Sequence, residues 1–291
     1  MHVVGINRSP HQTRQSVESL ALPRYLRHGI ELAPGALVLD VGGNIGMFSR
    51  WAASACQGDV HILAFEPVLE LAEALQFNLE LAALEQPGVR STVFRCGLAD
   101  AEGATQFTFY PRCTMWSSAH EDMTDPDVLS DALELVAQNI AAGQACGDQE
   151  SPVPSPGLDD LEADVRTVEM RRLSSVLRDC RTDGVLGGNQ QIALLKVDVE
   201  GAELQVLLGI DEADWARLEQ VVVEVHDRDG KLEAVAELLR FRGFAVKVER
   251  GPPPFYLVQR YADPVAPDGT GLQFSSSEMA HVFARRPHAR V

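Results

Sequence analysis

The chain alternates between short apolar runs and segments with helical spacing. Residues 37–41 are continuously apolar up to Asp40, and the turn that follows holds Gly42, Gly43 and Gly46. A run of this kind predicts a strand covered on both faces, as in a parallel sheet. Residues 46–56 predict a helix with Ile45, Phe48 and Ala52 toward the sheet. Residues 60–66 predict a second buried strand ending at Glu66-Pro67. Leu71, Leu75 and Leu79 then recur every four residues, which marks the buried face of a further helix.

The pattern repeats downstream. Strands are predicted at 89–96, 168–173, 192–198, 220–225 and 244–249, with a short hairpin strand at 106–110 and a closing strand at 281–285. Helices are predicted at 174–180, from about 202, and at 230–242, where Leu232, Val235, Leu238 and Leu239 form the buried stripe. Alternating strands and helices imply an α/β fold with a doubly wound, mostly parallel sheet. Residues 1–34 read as an N-terminal helical approach whose first half is loosely attached. Residues 35–291 read as the main domain, with no internal repeat and no second domain.

Residues 111–167 break the pattern. Asp125-Pro126-Asp127 can start a helix with the apolar stripe Val128, Leu129, Leu133, Val136 and Ile140, and the acidic stretch after it is rich in Gly and Pro. The segment reads as an insertion, either a cover over the substrate or a passive surface excursion.

Ligands of open α/β sheets bind beyond the carboxyl ends of the strands, so the strand ends list the candidate chemistry. Asp40, Gly42, Gly43, Asn44 and Gly46 follow strand one, and the glycines allow a tight turn and close approach of a ligand to the backbone. Glu66 and Pro67 follow strand two, and a carboxylate there can accept from two ribose hydroxyls. Gly97 and Leu98 follow strand three. A dinucleotide fingerprint ending at Gly46 requires glycine at position 41, which is Val, and the other spacing places Asn at position 44. The turn thus lacks an obvious pyrophosphate cradle, while Asp40 suits a ligand carrying an amino group. S-adenosylmethionine fits this turn better than NAD.

The other half of the site comes from Lys196-Val197-Asp198-Val199-Glu200-Gly201-Ala202-Glu203 and from Glu224-Val225-His226-Asp227. With the turn at 40–49 and Phe65-Glu66-Pro67, the chain resembles the FkbM-type family of S-adenosylmethionine-dependent methyltransferases over roughly residues 25–250, with a gap near 120–165. The Lys-x-Asp-x-Glu-Gly-x-Glu run is the specific mark, and Tyr25-Leu26-Arg27-His28-Gly29-Ile30 looks like versions found beside polyketide and peptide assembly lines. The chain departs from the pattern at Gly43, where Ala is commoner, and in its acidic insertion. The resemblance implies a Rossmann-like class I methyltransferase sheet with one antiparallel strand. It also implies O-methylation of a secondary metabolite or sugar, with a small-molecule acceptor free or presented on a carrier protein.

For that reaction His226 is the first candidate general base, because imidazole titrates near neutral pH. Asp198, a candidate cofactor ligand too, and Glu200 can orient the acceptor hydroxyl or take its proton. Lys196 and Glu203 read more readily as structural. Asp198, Glu200, Glu224, His226 and Asp227 also make a candidate oxygen-rich site for Mg²⁺, and Trp116 is a candidate substrate wall. An NAD-linked oxidoreductase and a non-catalytic cofactor-binding module are the competing functions.

Composition narrows the partners. The net charge is −17, and residues 121–169 hold thirteen acids and one base, Arg166. Nucleic acid requires clustered Lys and Arg, so no nucleic-acid partner is expected. The five Cys show no Cys-x-x-Cys pair, which fits reduced thiols. No apolar run reaches membrane-spanning length and the N-terminus lacks a secretory pattern, so a cytoplasmic protein is expected.

Overall fold

The computed structural model describes residues 25–111, 117, 163–227, 229–250 and 279–287. The insertion helix, Trp116 and Pro252-Pro253-Pro254 lie outside them.

A seven-stranded sheet forms the body, in the order β3-β2-β1-β7-β8-β10-β9. Its members are β1 (Ala36–Val41), β2 (Val60–Phe65), β3 (Val89–Phe94), β7 (Leu194–Val197), β8 (Gln220–His226), β9 (Ala245–Arg250) and β10 (Met279–Arg285). Strands β3, β2, β1, β7 and β8 pair in parallel, while β10 runs antiparallel to both β8 and β9. This is the mostly parallel sheet with one reversed strand that the sequence predicts.

The helices are α1 (Met47–Ala55), α2 (Leu69–Glu85), α3 (Leu173–Thr182), α4 (Glu203–Leu208), α5 (Glu212–Trp215) and α6 (Lys231–Phe241). Side chains alternate across the sheet, as the two-residue period of a strand demands. Leu37, Leu39, Leu195, Val197, Val221, Val223 and Val225 pack into one core with α3, α4 and α6. Val38, Leu194, Val222 and Phe283 pack into the other, with Phe48 and Ala52 of α1 and Leu75 and Leu79 of α2. Both faces are covered, which is why the strands lack a polar side along most of their length.

Three expectations are corrected. Residues 25–34 form turns and not an α-helix, because His28 and Gly29 both take positive φ, 55° and 82°. The strand expected at 168–173 is β6 (Asp164–Arg171), so it begins four residues earlier. It also lies outside the main sheet, in a separate three-stranded sheet with β4 (Gly97–Leu98) and β5 (Gly103–Phe109). The insertion therefore leaves and re-enters at the end of an antiparallel ribbon, where Phe109 pairs with Asp164. Finally, the helix expected from about 202 is split into α4 and α5 around Gly209-Ile210-Asp211. Gly209 packs so tightly on the Ala99 carbonyl that a Cβ there would stand 2.2 Å from it.

Candidate functional site at the ends of strands β1, β2, β7 and β8

The strand order changes direction between β1 and β7, and this switch point places the two sequence motifs side by side. Asp40 and Lys196 are direct partners in the β1–β7 register. The Lys196 ammonium lies 3.2 Å from Asp40 Oδ1 and 3.5 Å from Asp198 Oδ2, and it donates to the Gly42 carbonyl at 2.8 Å. Burial pulls this ammonium down, but Asp40 and Asp198 overcome it and hold it well above the usual lysine range. Lys196 is thus the brace that ties the glycine turn to the second motif. The sequence carried that signal: residues 196 and 198 alternate in phase on a strand, so both face the same side.

Asp40 is fully buried and engaged twice, by Lys196 and by the Ser49 hydroxyl, which donates to Oδ2 at 2.6 Å. It therefore supports the turn from beneath. The turn hangs on β2 through Gly42 N–H and Gly43 N–H, both donated to the Phe65 carbonyl at 3.1 and 2.9 Å. Gly42 and Gly46 take φ of 77° and 87°, and Asn44 a φ of 47°. Leu75 fills the space under the turn, 2.8 Å from where a Cβ on Gly43 or Gly46 would stand. Glycine at position 43 thus lets the turn sit directly on Leu75.

Glu66 is buried, with Oε2 accepting from Asn44 N–H at 2.9 Å and Oε1 from Val68 N–H at 3.0 Å. Pro67 has no N–H and a fixed φ, which lets Val68 turn back onto the carboxylate. Burial raises the Glu66 carboxyl to about 7, against the lowering pull of those two N–H groups and of Lys196. Each oxygen keeps a further acceptor position after one N–H bond, so the group retains capacity for two vicinal hydroxyls. Glu66, the Asn44 turn and the partly exposed Asp198 carboxylate thus fit a nucleoside carrying an amino-acid tail.

Gly97 and Leu98 follow β3 as expected and form β4, paired with Met170 and Arg171 of β6, and Leu98 is buried in the same core cluster as Phe65. What reaches Glu66 from β3 is Phe94, whose carbonyl accepts Glu66 N–H at 3.0 Å and whose ring stacks on Phe65 at 5.1 Å.

The acceptor side of the site is a cluster of acids around one histidine. His226 Nε2 is 3.3 Å from Glu200 Oε2, and Nδ1 is 3.9 Å from Glu203 Oε1. Glu203 also accepts the Gly201 N–H at 2.7 Å, which fixes its carboxylate. Burial pushes the His226 imidazole down, but Glu200, Glu203 and Glu224 carry it up to about 9. Both ring nitrogens face carboxylates, an arrangement that favours the protonated ring and weighs against His226 as the first base. Glu200 is partly exposed and takes φ of 55°, a backbone conformation that costs about 1–3 kcal/mol for a non-glycine residue and aims the side chain at His226. Burial, with Asp198, Glu224 and Glu203 nearby, raises its carboxyl well above the usual range despite His226.

The Mg²⁺ set does not assemble. Asp227 is held by Arg250 at 2.8 Å and accepts from Leu232 N–H. Among the described residues, no group of three or more His, Cys, Asp or Glu is arranged to hold a metal. Likewise, no helix of the described residues is long and apolar enough to cross a membrane.

Comparison with known proteins places this geometry. The family model described as the methyltransferase FkbM domain matches residues 40–246. The chain is 38% identical over 228 residues to a 31-O-demethyl-FK506 methyltransferase FkbM of Streptomyces tacrolimicus, covering 78% of this chain and 80% of that protein. It is 36% identical over 231 residues to part of the AMB antimetabolite synthetase AmbE of Pseudomonas aeruginosa, covering 78% of this chain but 10% of that much longer protein. Among solved structures, an FkbM methyltransferase of Methylobacillus flagellatus shares the fold with a TM-score of 0.50 at 14% identity, over 90% of this chain and 47% of that one. The chain thus spans about half the length of that structure.

Proposed function

Because the chain belongs to the FkbM methyltransferase family, we propose that it moves the methyl group of S-adenosylmethionine onto a hydroxyl of a natural product or sugar, free or tethered to a carrier protein. The observation that carries this reading is the meeting of the Gly42–Asn44 turn, Glu66 and Asp198 at the β1–β7 switch point, beside Glu200. The names of the relatives support a hydroxyl acceptor and a secondary-metabolite setting.

When bound, S-adenosylmethionine supplies a methyl group already activated on a sulfonium. The chain has three tasks around it. Glu66 accepts from the ribose hydroxyls, and Asp198 accepts from the ammonium of the amino-acid tail. Glu200 takes the proton that the acceptor hydroxyl must lose. Its raised carboxyl makes it a better base than an ordinary glutamate, and His226 holds it in place from behind.

The test uses methyl-labelled S-adenosylmethionine with hydroxyl-bearing acceptors, each supplied free and as a carrier-protein thioester. Label in an ether product supports the reading. Label only in an amine or carbon product, or none with any acceptor, contradicts it. The two acceptor forms decide whether a carrier is a partner.

A further inference from the structure

The inward face of α2 carries one amide among its leucines. Asn78 is fully buried beside the stripe Leu71, Leu75 and Leu79. Residues 75 and 78 are three apart and share a helix face, and both meet the glycine turn. Leu75 lies beneath Gly43 and Gly46, while Asn78 Nδ2 donates to the Ile45 carbonyl at 2.7 Å. Ile45 precedes the hydrogen-bond ladder of α1, which opens with Arg50 N–H on the Gly46 carbonyl at 3.0 Å. Arg50 secures the other side of Asn78. Its buried guanidinium donates to the Asn78 carbonyl at 2.7 Å through Nη1 and to Glu85 Oε2 at 2.9 Å through Nη2.

A fully buried amide is costly unless it is bonded, and at this position a leucine would simply extend the stripe. What the amide secures can be followed bond by bond. Ile45 N–H donates to Asn44 Oδ1 at 2.8 Å, and Gly46 N–H donates to the Gly43 carbonyl at 2.8 Å. Asn44 N–H donates to Glu66 Oε2 at 2.9 Å. Asn44 also holds its φ of 47°, an uncommon conformation for a residue other than glycine. Pinning Ile45 from α2 therefore fixes the far end of the turn whose Asn44 N–H faces Glu66.

We propose that Asn78 is a positioning residue for the cofactor: by holding the Ile45 carbonyl it keeps the Asn44 N–H on Glu66, and so sets the carboxylate that takes the ribose hydroxyls. Asn78 is buried beneath the turn and acts through it. A group that contacts a ligand keeps its geometry only when the residues behind it are themselves held, and Asn78 is that support for the turn. The inference rests on the cofactor reading given above.

The experiment is calorimetric titration with S-adenosylmethionine of wild type, Asn78→Leu, Glu66→Ala and the double variant, at a temperature where all four are folded. Asn78→Leu is expected to weaken binding about tenfold, the worth of one hydrogen bond. On the Glu66→Ala background the same substitution should change affinity less than about threefold, because the two residues act as one unit. A residue that only stabilises the fold would lower the melting temperature and leave the affinity of the folded protein alone. Unchanged affinity in Asn78→Leu, or losses that multiply in the double variant, would overturn the proposal. A ligand-free readout stands beside the titration. Hydrogen exchange at the Asn44 amide, followed by NMR, should quicken about tenfold in Asn78→Leu as the turn loosens locally, and exchange at the wild-type rate would also overturn it. If Asn78→Leu crowds the helix too much to fold, Asn78→Ala removes the amide without adding bulk and carries the same measurements. No binding by wild type would instead sink the cofactor reading, and the proposal with it.

Discussion

The Asp198 carbonyl oxygen lies where Gly42 would carry a side chain: a Cβ built there stands 1.8 Å from that oxygen. The two loops that make the cofactor side are thus in backbone contact, and Lys196 clamps them from below. Gly42→Ala combines this clash with a φ of 77°, which costs an L-residue about 1–2 kcal/mol by itself. The variant is expected to melt lower and to lose S-adenosylmethionine binding. Gly188→Ala, with nothing within 4 Å of its Cβ and no positive φ, serves as a comparison that keeps binding.

Lys196→Met leaves the carboxylates of Asp40 and Asp198 without their shared cation. Breaking a buried pair from one side costs about 3–5 kcal/mol, and chemical denaturation should read a loss of that order. A loss under about 1 kcal/mol would show that the brace is an ordinary surface-type ion pair.

The His226 ring gives a pH signature. Its folded value is raised to about 9 from the ordinary 6.5. Its contribution to stability is therefore complete below pH 6.5 and is lost as pH rises through about 9. The melting-temperature gap between wild type and His226→Gln is expected to be widest near pH 6 and to close by pH 9.5. A gap that widens with pH would mean that the ring is buried neutral.

Glu200→Gln keeps the side chain's shape and removes the proton acceptor. Turnover should fall by about 10²–10⁴, with S-adenosylmethionine affinity changed less than threefold. A matching loss of affinity would make Glu200 a cofactor ligand and not a base.

Much of the fold was legible because the strands are apolar on both faces and the helices show plain apolar stripes. Leu71, Leu75 and Leu79 lie buried as their spacing demands. The meeting of the Asp40–Gly46 turn with Glu66 was legible in the same way, since the residues after β1 and β2 must lie at the same end of the sheet. The rest depends on tertiary pairing that no local pattern records. Nothing in the residues around Gly97 announces a partner strand seventy positions away, and no spacing links Ser49 to Asp40. The three-stranded side sheet and the support beneath the turn therefore emerge only in three dimensions. His226 illustrates the same limit. Its position at a strand end is visible in the sequence, but its charge is set by Glu200 and Glu203 arriving from the β7 loop and α4.

The most direct test of the central claim is calorimetry on wild type and Glu66→Ala with S-adenosylmethionine and, separately, NADH. The account predicts binding of S-adenosylmethionine alone, with affinity that weakens as pH falls below about 7, where Glu66 becomes protonated. Glu66→Ala should weaken binding by about 10–100-fold, the worth of one or two charge-assisted hydrogen bonds. Unchanged affinity in Glu66→Ala, or binding of NADH by the wild type, would contradict it.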